Sequence, residues 1–123
     1  MRFIPTWVHG MLDYPLAIVL IALPWLGGFA NGGPEQWIPV CAGVAMLGLS
    51  AMTAYEAGLV RAIPMTGHLI ADGIVGALLA VSPWLFGFAE VVWLPHLILG
   101  IGELGAAMTT ETRPRHHLGR SAV

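Results

Sequence analysis

Long apolar stretches alternate with short polar breaks along this chain. Four stretches, about Pro5 to Phe29, Trp37 to Tyr55, Pro64 to Phe88 and Trp93 to Met108, approach the roughly 20 largely apolar residues that a membrane-spanning helix needs. The breaks between them are turn-forming or short. Asn31-Gly32-Gly33-Pro34-Glu35-Gln36 is a turn cluster, 57–64 contains Gly58, Arg61 and Pro64, and Glu90-Val91-Val92 is a brief link. Pro5, Pro39, Pro64 and Pro95 fall near the expected helix starts, where a missing N–H costs little.

The pattern is written twice. Pro24-Trp25-Leu26-Gly27-Gly28-Phe29-Ala30 reappears as Pro83-Trp84-Leu85-Phe86-Gly87-Phe88-Ala89, an offset of 59 residues between Pro24 and Pro83. The same offset pairs Pro5 with Pro64, His9 with His68 and Asp13 with Asp72. The second and fourth stretches align at an offset of 56, which pairs Trp37 with Trp93, Pro39 with Pro95, Met52 with Met108 and Thr53 with Thr109. The expectation is an all-α, polytopic membrane four-helix bundle. It is built from two helical hairpins of the same topology, about 5–57 and 64–110, within one domain of 1–110. A polar tail, 111–123, follows.

Composition supports a membrane setting. The 123 residues are 57% hydrophobic and 10% charged, with a mean hydropathy of +0.78, whereas soluble domains carry about a quarter charged residues. The single cysteine, Cys41, excludes an internal disulfide and a cysteine metal cluster. No basic stripe is present to hold a nucleic acid. The N-terminal stretch is not read as a secretory signal, because Asp13 interrupts it and its copy lies mid-chain.

The charges also orient the chain. Every basic residue other than histidine is an arginine: Arg2, Arg61, Arg113, Arg115 and Arg120. They lie at the N-terminus, in the central link and in the tail, while the hairpin tips carry Glu35 and Glu90. The positive-inside rule places both termini and the central link in the cytoplasm. Trp25, Trp37, Trp84 and Trp93 then form an interfacial belt on the outer side. Two same-way hairpins are related by a pseudo-two-fold axis along the membrane normal, which puts His9 level with His68. Small residues are expected at the helix contacts: Gly73, Gly76, Ala77 and Ala80, Ala45, Gly48 and Ala51, and Gly102, Gly105 and Ala106.

Two tandem hairpins with a proline–tryptophan corner resemble the SPW repeat family of small prokaryotic integral membrane proteins. Ser82-Pro83-Trp84 is the motif itself, and Leu23-Pro24-Trp25 is a first copy that lacks the serine. The resemblance extends to about Thr110. It implies a membrane location, the plasma (inner) membrane of a prokaryote, and a two-hairpin fold, and it carries no activity, cofactor or catalytic residue with it.

Ionisable groups within a bilayer are costly and mark functional candidates. Here they are His9, Asp13, His68, Asp72 and Glu103, while Glu56 and His96 are expected near helix ends within reach of water. The four-residue spacing puts each His–Asp pair on one helix face. Three readings follow. The favoured one is a structural clasp, in which histidine and aspartate hydrogen-bond across helices in a non-catalytic structural or accessory protein, working as a homo-oligomer or within a larger membrane complex. The second is a cofactor site, with His9 and His68 as ligands of haem b or of a divalent metal such as zinc. The third is a proton or ion path in a small oligomeric transporter. Met52 and Met108 read as filler more than as ligands. Enzymatic chemistry finds little support, since Ser50 and Ser82 have no neighbouring base in sequence and no phosphate-binding glycine loop is present.

Overall fold

The computed structural model describes residues 1–113, so most of the expected tail, with Arg115 and Arg120, lies outside the described residues. The chain is all-α: α1 spans Thr6–Leu26, α2 Pro34–Ala51, α3 Met65–Leu85 and α4 Leu94–Thr109. No strand occurs among the described residues; two isolated backbone bridges join Ile4 to Thr110 and Thr53 to Ile63. Helix α1 packs along α2 and α3 along α4, with a smaller contact between α2 and α3.

The starts of α1 and α3 have one cause. Pro5 and Pro64 are extended N-cap residues, at φ −61° and −67°, the value the proline ring enforces. Their carbonyls accept from the amides of His9 (3.1 Å) and His68 (3.0 Å), which sets each histidine one turn into its helix. The two helices also end alike. Gly28 and Gly87 take φ of +75° and +74°, a region that favours a residue without Cβ. The amides of Phe29 and Phe88 return 2.8 Å to the carbonyls of Pro24 and Pro83, a Schellman closure.

The proline–tryptophan corner is therefore the last helical turn rather than a loop. Pro83 has no N–H to give the Leu79 carbonyl four residues back. The Ser82 hydroxyl donates to that carbonyl instead, at 2.7 Å. Pro24 and Pro83 are buried, and Trp25 and Trp84 are exposed.

Several sequence expectations shift. Helix α2 begins at Pro34 instead of Trp37, with Gly33 as N-cap, and stops at Ala51 instead of Tyr55. Beyond Ala51 the backbone turns to bridge Ile63. Pro39 sits inside α2, while Pro95 is in the first turn of α4 as expected. By length and apolarity two helices suffice to cross a membrane, α1 and α3; α4 is apolar but has 16 residues. At 1.5 Å per residue that is about 24 Å, short of a hydrocarbon core of about 30 Å.

The contact glycines differ as well. A Cβ on Gly43 would meet the Ala17 carbonyl oxygen at 2.6 Å, and one on Gly100 would meet the Gly76 carbonyl oxygen at 2.5 Å and the Ala80 amide at 2.4 Å. Gly76 and Ala80 were expected at a contact; Gly43 and Gly100 were not. Gly48, Gly102 and Gly105, expected to pack, face open space. Their small size is not used in any helix contact within the chain. Gly43 and Gly100 are 57 apart, one more than the alignment of the tryptophans and prolines suggests.

Candidate functional site

Helices α1 and α3 bring four side chains to one point. His9 Nε2 lies 3.0 Å from Asp13 Oδ1 and 2.9 Å from Asp72 Oδ2. His68 Nε2 lies 3.0 Å from Asp13 Oδ2 and 2.8 Å from Asp72 Oδ2. Each imidazole thus meets the carboxylate of its own helix, one turn on, and the carboxylate of the other helix. The imidazole centroids are 5.4 Å apart and the rings nearly perpendicular, at 78°. All four residues are 3% exposed or less. A ring of alternating imidazole and carboxylate closes on itself, away from solvent.

The far side of each imidazole is fixed by a threonine. Thr110 Oγ1 is 2.8 Å from His9 Nδ1, and Thr53 Oγ1 is 2.7 Å from His68 Nδ1. Each hydroxyl has one proton, and each donates it to a helix carbonyl: Thr53 to Leu49 at 2.5 Å, Thr110 to Ala106 at 2.6 Å. Toward the histidines, then, both threonines can only accept. Nδ1 must carry a proton on His9 and on His68. The tautomer that remains points both Nε2 atoms at the carboxylates. Each Nε2 either bears a second proton and donates, making the ring an imidazolium, or offers a lone pair to a cation.

The threonines are placed by the two backbone bridges. The amide of Glu111 reaches the Ile4 carbonyl at 2.8 Å, and that of Ala54 the Ile63 carbonyl at 2.7 Å. Arg2 donates to the carbonyls of Ala107 and Thr110 at 3.0 and 2.7 Å, a cation at a helix C-terminus. Asp13 Oδ2 receives two further donors, the Ser50 hydroxyl at 3.0 Å and the Tyr55 hydroxyl at 3.3 Å.

The sequence candidates fare unequally. The structure brings His9, Asp13, His68 and Asp72 together. Glu103 is buried beside Asp72, with no hydrogen-bond partner for its Oε1 among the described residues. It shares with His9 and Asp13 the wall of a groove of about 310 Å³. Glu56 accepts from the Thr6 hydroxyl. His96 does not reach water: it is fully buried, flanked by Phe29 and Phe88 at centroid distances of 5.4 and 4.9 Å, and its Nε2 donates to the Glu35 carbonyl. The two phenylalanines of the repeated corners close over it. Met52 and Met108 are exposed, so they neither fill the core nor turn toward the ring. Thr53, Thr110, Ser50 and Tyr55 are the residues of the centre that sequence reasoning missed. The signal was present for the threonines, because Thr53 and Thr110 are separated by the same 57 residues as Gly43 and Gly100, yet Thr53 was paired with Thr109.

Haem does not fit this centre. A porphyrin between His9 and His68 would need the space that the carboxylates of Asp13 and Asp72 fill, and both imidazoles already share one oxygen, Asp72 Oδ2.

The SPW repeat domain matches residues 6–110, from the first residue of α1 to the threonine that anchors His9. The chain belongs to the SPW repeat family. Neither the curated proteins nor the solved structures include a match to it. For this SPW repeat protein the matched span covers all four helices and every member of the His–Asp ring.

Proposed function

We propose that this SPW repeat protein is a small integral membrane protein with a non-catalytic, structural or accessory role, whose two hairpins are latched by the His–Asp ring. The observation that carries the reading is reciprocity. His9 on α1 bonds Asp72 on α3, and His68 on α3 bonds Asp13 on α1. The threonines cross over in the same way, since each histidine is held by the threonine that follows the other hairpin's second helix. Parallel, same-topology repeats produce this exchange.

The lipid setting rests on the surface. Leu12, Ile18 and Val19 on α1, and Ile70, Ile74 and Leu78 on α3, are all exposed. Many large apolar side chains left exposed along two helices suit contact with lipid. The exposed tryptophans at the hairpin tips suit an interfacial belt. Orientation follows from the arginines, with both termini on the cytoplasmic side of the plasma membrane. Helices α2 and α4, shorter than the bilayer core, are accommodated by local thinning and by the flanking tryptophans.

Within such a membrane the ring is neutral as a whole when two imidazolium groups face two carboxylates. That removes most of the penalty of burying isolated charges. It contributes specificity more than strength: it fixes which face of α1 meets α3. The test has two parts. The protein should stay in the membrane fraction through alkaline carbonate washing. A double-mutant cycle between His9→Ala and Asp72→Ala, read by unfolding in detergent, should return a favourable coupling energy of about 1–3 kcal/mol. Zero coupling between folded variants rejects the latch.

A further inference from the structure

We propose that the four-residue centre is also a binding site for one divalent first-row transition ion, best matched by zinc, held by His9 Nε2, His68 Nε2 and one oxygen each from Asp13 and Asp72. The inference uses the same side chains as the latch but does not need their ion-paired state.

Three observations converge. The four donor atoms lie within 4.8 Å of one another. Donors at zinc distances of about 2.1 Å in a tetrahedron stand about 3.4 Å apart, so the 2.8–3.0 Å imidazole–carboxylate contacts would open by about half an ångström and the wider pairs, up to 4.8 Å, would close. The second observation is the tautomer. Thr53 and Thr110 hold the proton on Nδ1 and leave Nε2 aimed inward, the orientation that outer hydrogen bonds give to metal-binding histidines. Ser50 and Tyr55 hydroxyls orient Asp13 in the same way. The third is Glu103. Its Oε1 is buried without a partner, on the wall of the groove that leads along His9 and Asp13. An unsatisfied carboxyl oxygen beside a closed polar ring is expensive to keep, and it lines the groove along which an ion would approach the four donors.

Charge conservation makes the exchange permissible in lipid. One dication replaces the two Nε2 protons of the latched state, both protons leave to solvent, and the centre stays neutral. The ligand set is nitrogen and carboxylate oxygen without thiolate or thioether, which suits zinc, cobalt or manganese better than soft monovalent copper.

The experiment uses the full chain in detergent, stripped with a chelator, dialysed and titrated with cobalt(II), then with zinc(II). The expected result is one ion per chain by elemental analysis, strong visible ligand-field bands of four-coordinate cobalt, and loss of those bands as zinc displaces it. His68→Ala and Asp72→Asn should abolish the bands, and His96→Ala, outside the centre, should keep them. Folded wild-type protein that retains no ion and gives only the weak spectrum of hydrated cobalt overturns the proposal. So does an equal spectrum in His68→Ala. Because the wild-type result can overturn the idea by itself, a variant that fails to fold does not rescue it. The coupling between His9 and Asp72 in the stripped protein is measured separately, so loss of the metal site would leave the latch standing.

Discussion

Thr53 Oγ1 lies 2.7 Å from His68 Nδ1, and the direction of that bond is settled by the other bond Thr53 makes, to the Leu49 carbonyl. The hydroxyl has spent its proton on the helix, so the imidazole must donate. A residue outside the His–Asp ring thereby decides which face the histidine shows to it.

Replacing Thr53 or Thr110 by valine keeps the shape and removes the acceptor. A buried Nδ1–H is then left unmade, at about 1–3 kcal/mol. Each variant should lose that much stability in detergent unfolding. The double variant should lose close to the sum, because the two threonines hold different rings. Serine in place of either threonine should restore most of the loss.

The aspartates test the balance of charge. Asp13→Asn removes one carboxylate from a centre that receives two histidines, the Ser50 hydroxyl and the Tyr55 hydroxyl. Removing one partner of a buried ion pair costs about 3–5 kcal/mol. Asp13→Asn should therefore be more damaging than either threonine variant, and pairing it with His9→Ala should be less harmful than the two costs added. Circular dichroism and a detergent denaturation curve for the three proteins check this.

Ser82 supplies the proton that Pro83 cannot. Ser82→Ala leaves the Leu79 carbonyl without that donor, at about 0.5–1.5 kcal/mol. The first copy has Leu23 in the corresponding place, so Leu23→Ser introduces a donor toward the Leu20 carbonyl. The expected outcome is a lower unfolding midpoint for Ser82→Ala and an unchanged or higher one for Leu23→Ser.

Backbone proximity separates glycines that look alike in sequence. At Gly100 a Cβ would strike the Gly76 carbonyl and the Ala80 amide, neither of which can swing aside. Gly100→Ala should separate α3 from α4 and cost about 1–3 kcal/mol, the usual penalty of overpacking. Gly48→Ala and Gly102→Ala meet nothing within 4 Å and gain helix propensity, so they should be neutral or mildly stabilising.

Much of this was readable before any coordinates. The offset of 59 found the histidines and aspartates, because a polar pair inside an apolar helix is conspicuous and its spacing is fixed by the helix. The starts of α1 and α3 were readable from Pro5 and Pro64 for the same local reason. What escaped was anything decided between helices. Gly43 and Gly48 are indistinguishable in composition, and only the rotation of α2 sends one against Ala17 and the other outward. Thr53 was paired with Thr109 since the tryptophans and prolines align at 56, while the contacts obey 57. His96 was expected to be wet because it lies near a helix end, and a helix end is buried when Phe29 and Phe88 fold over it.

The swapped threonines carry one more consequence. Neither hairpin anchors its own imidazole at Nδ1: the first owns His9 and the anchor for His68, the second owns His68 and the anchor for His9. Cut in the central link, the protein would yield two fragments that are each incomplete at the same spot and complementary there. Reassembly would be recognised by the return of both pairings at once, never of one.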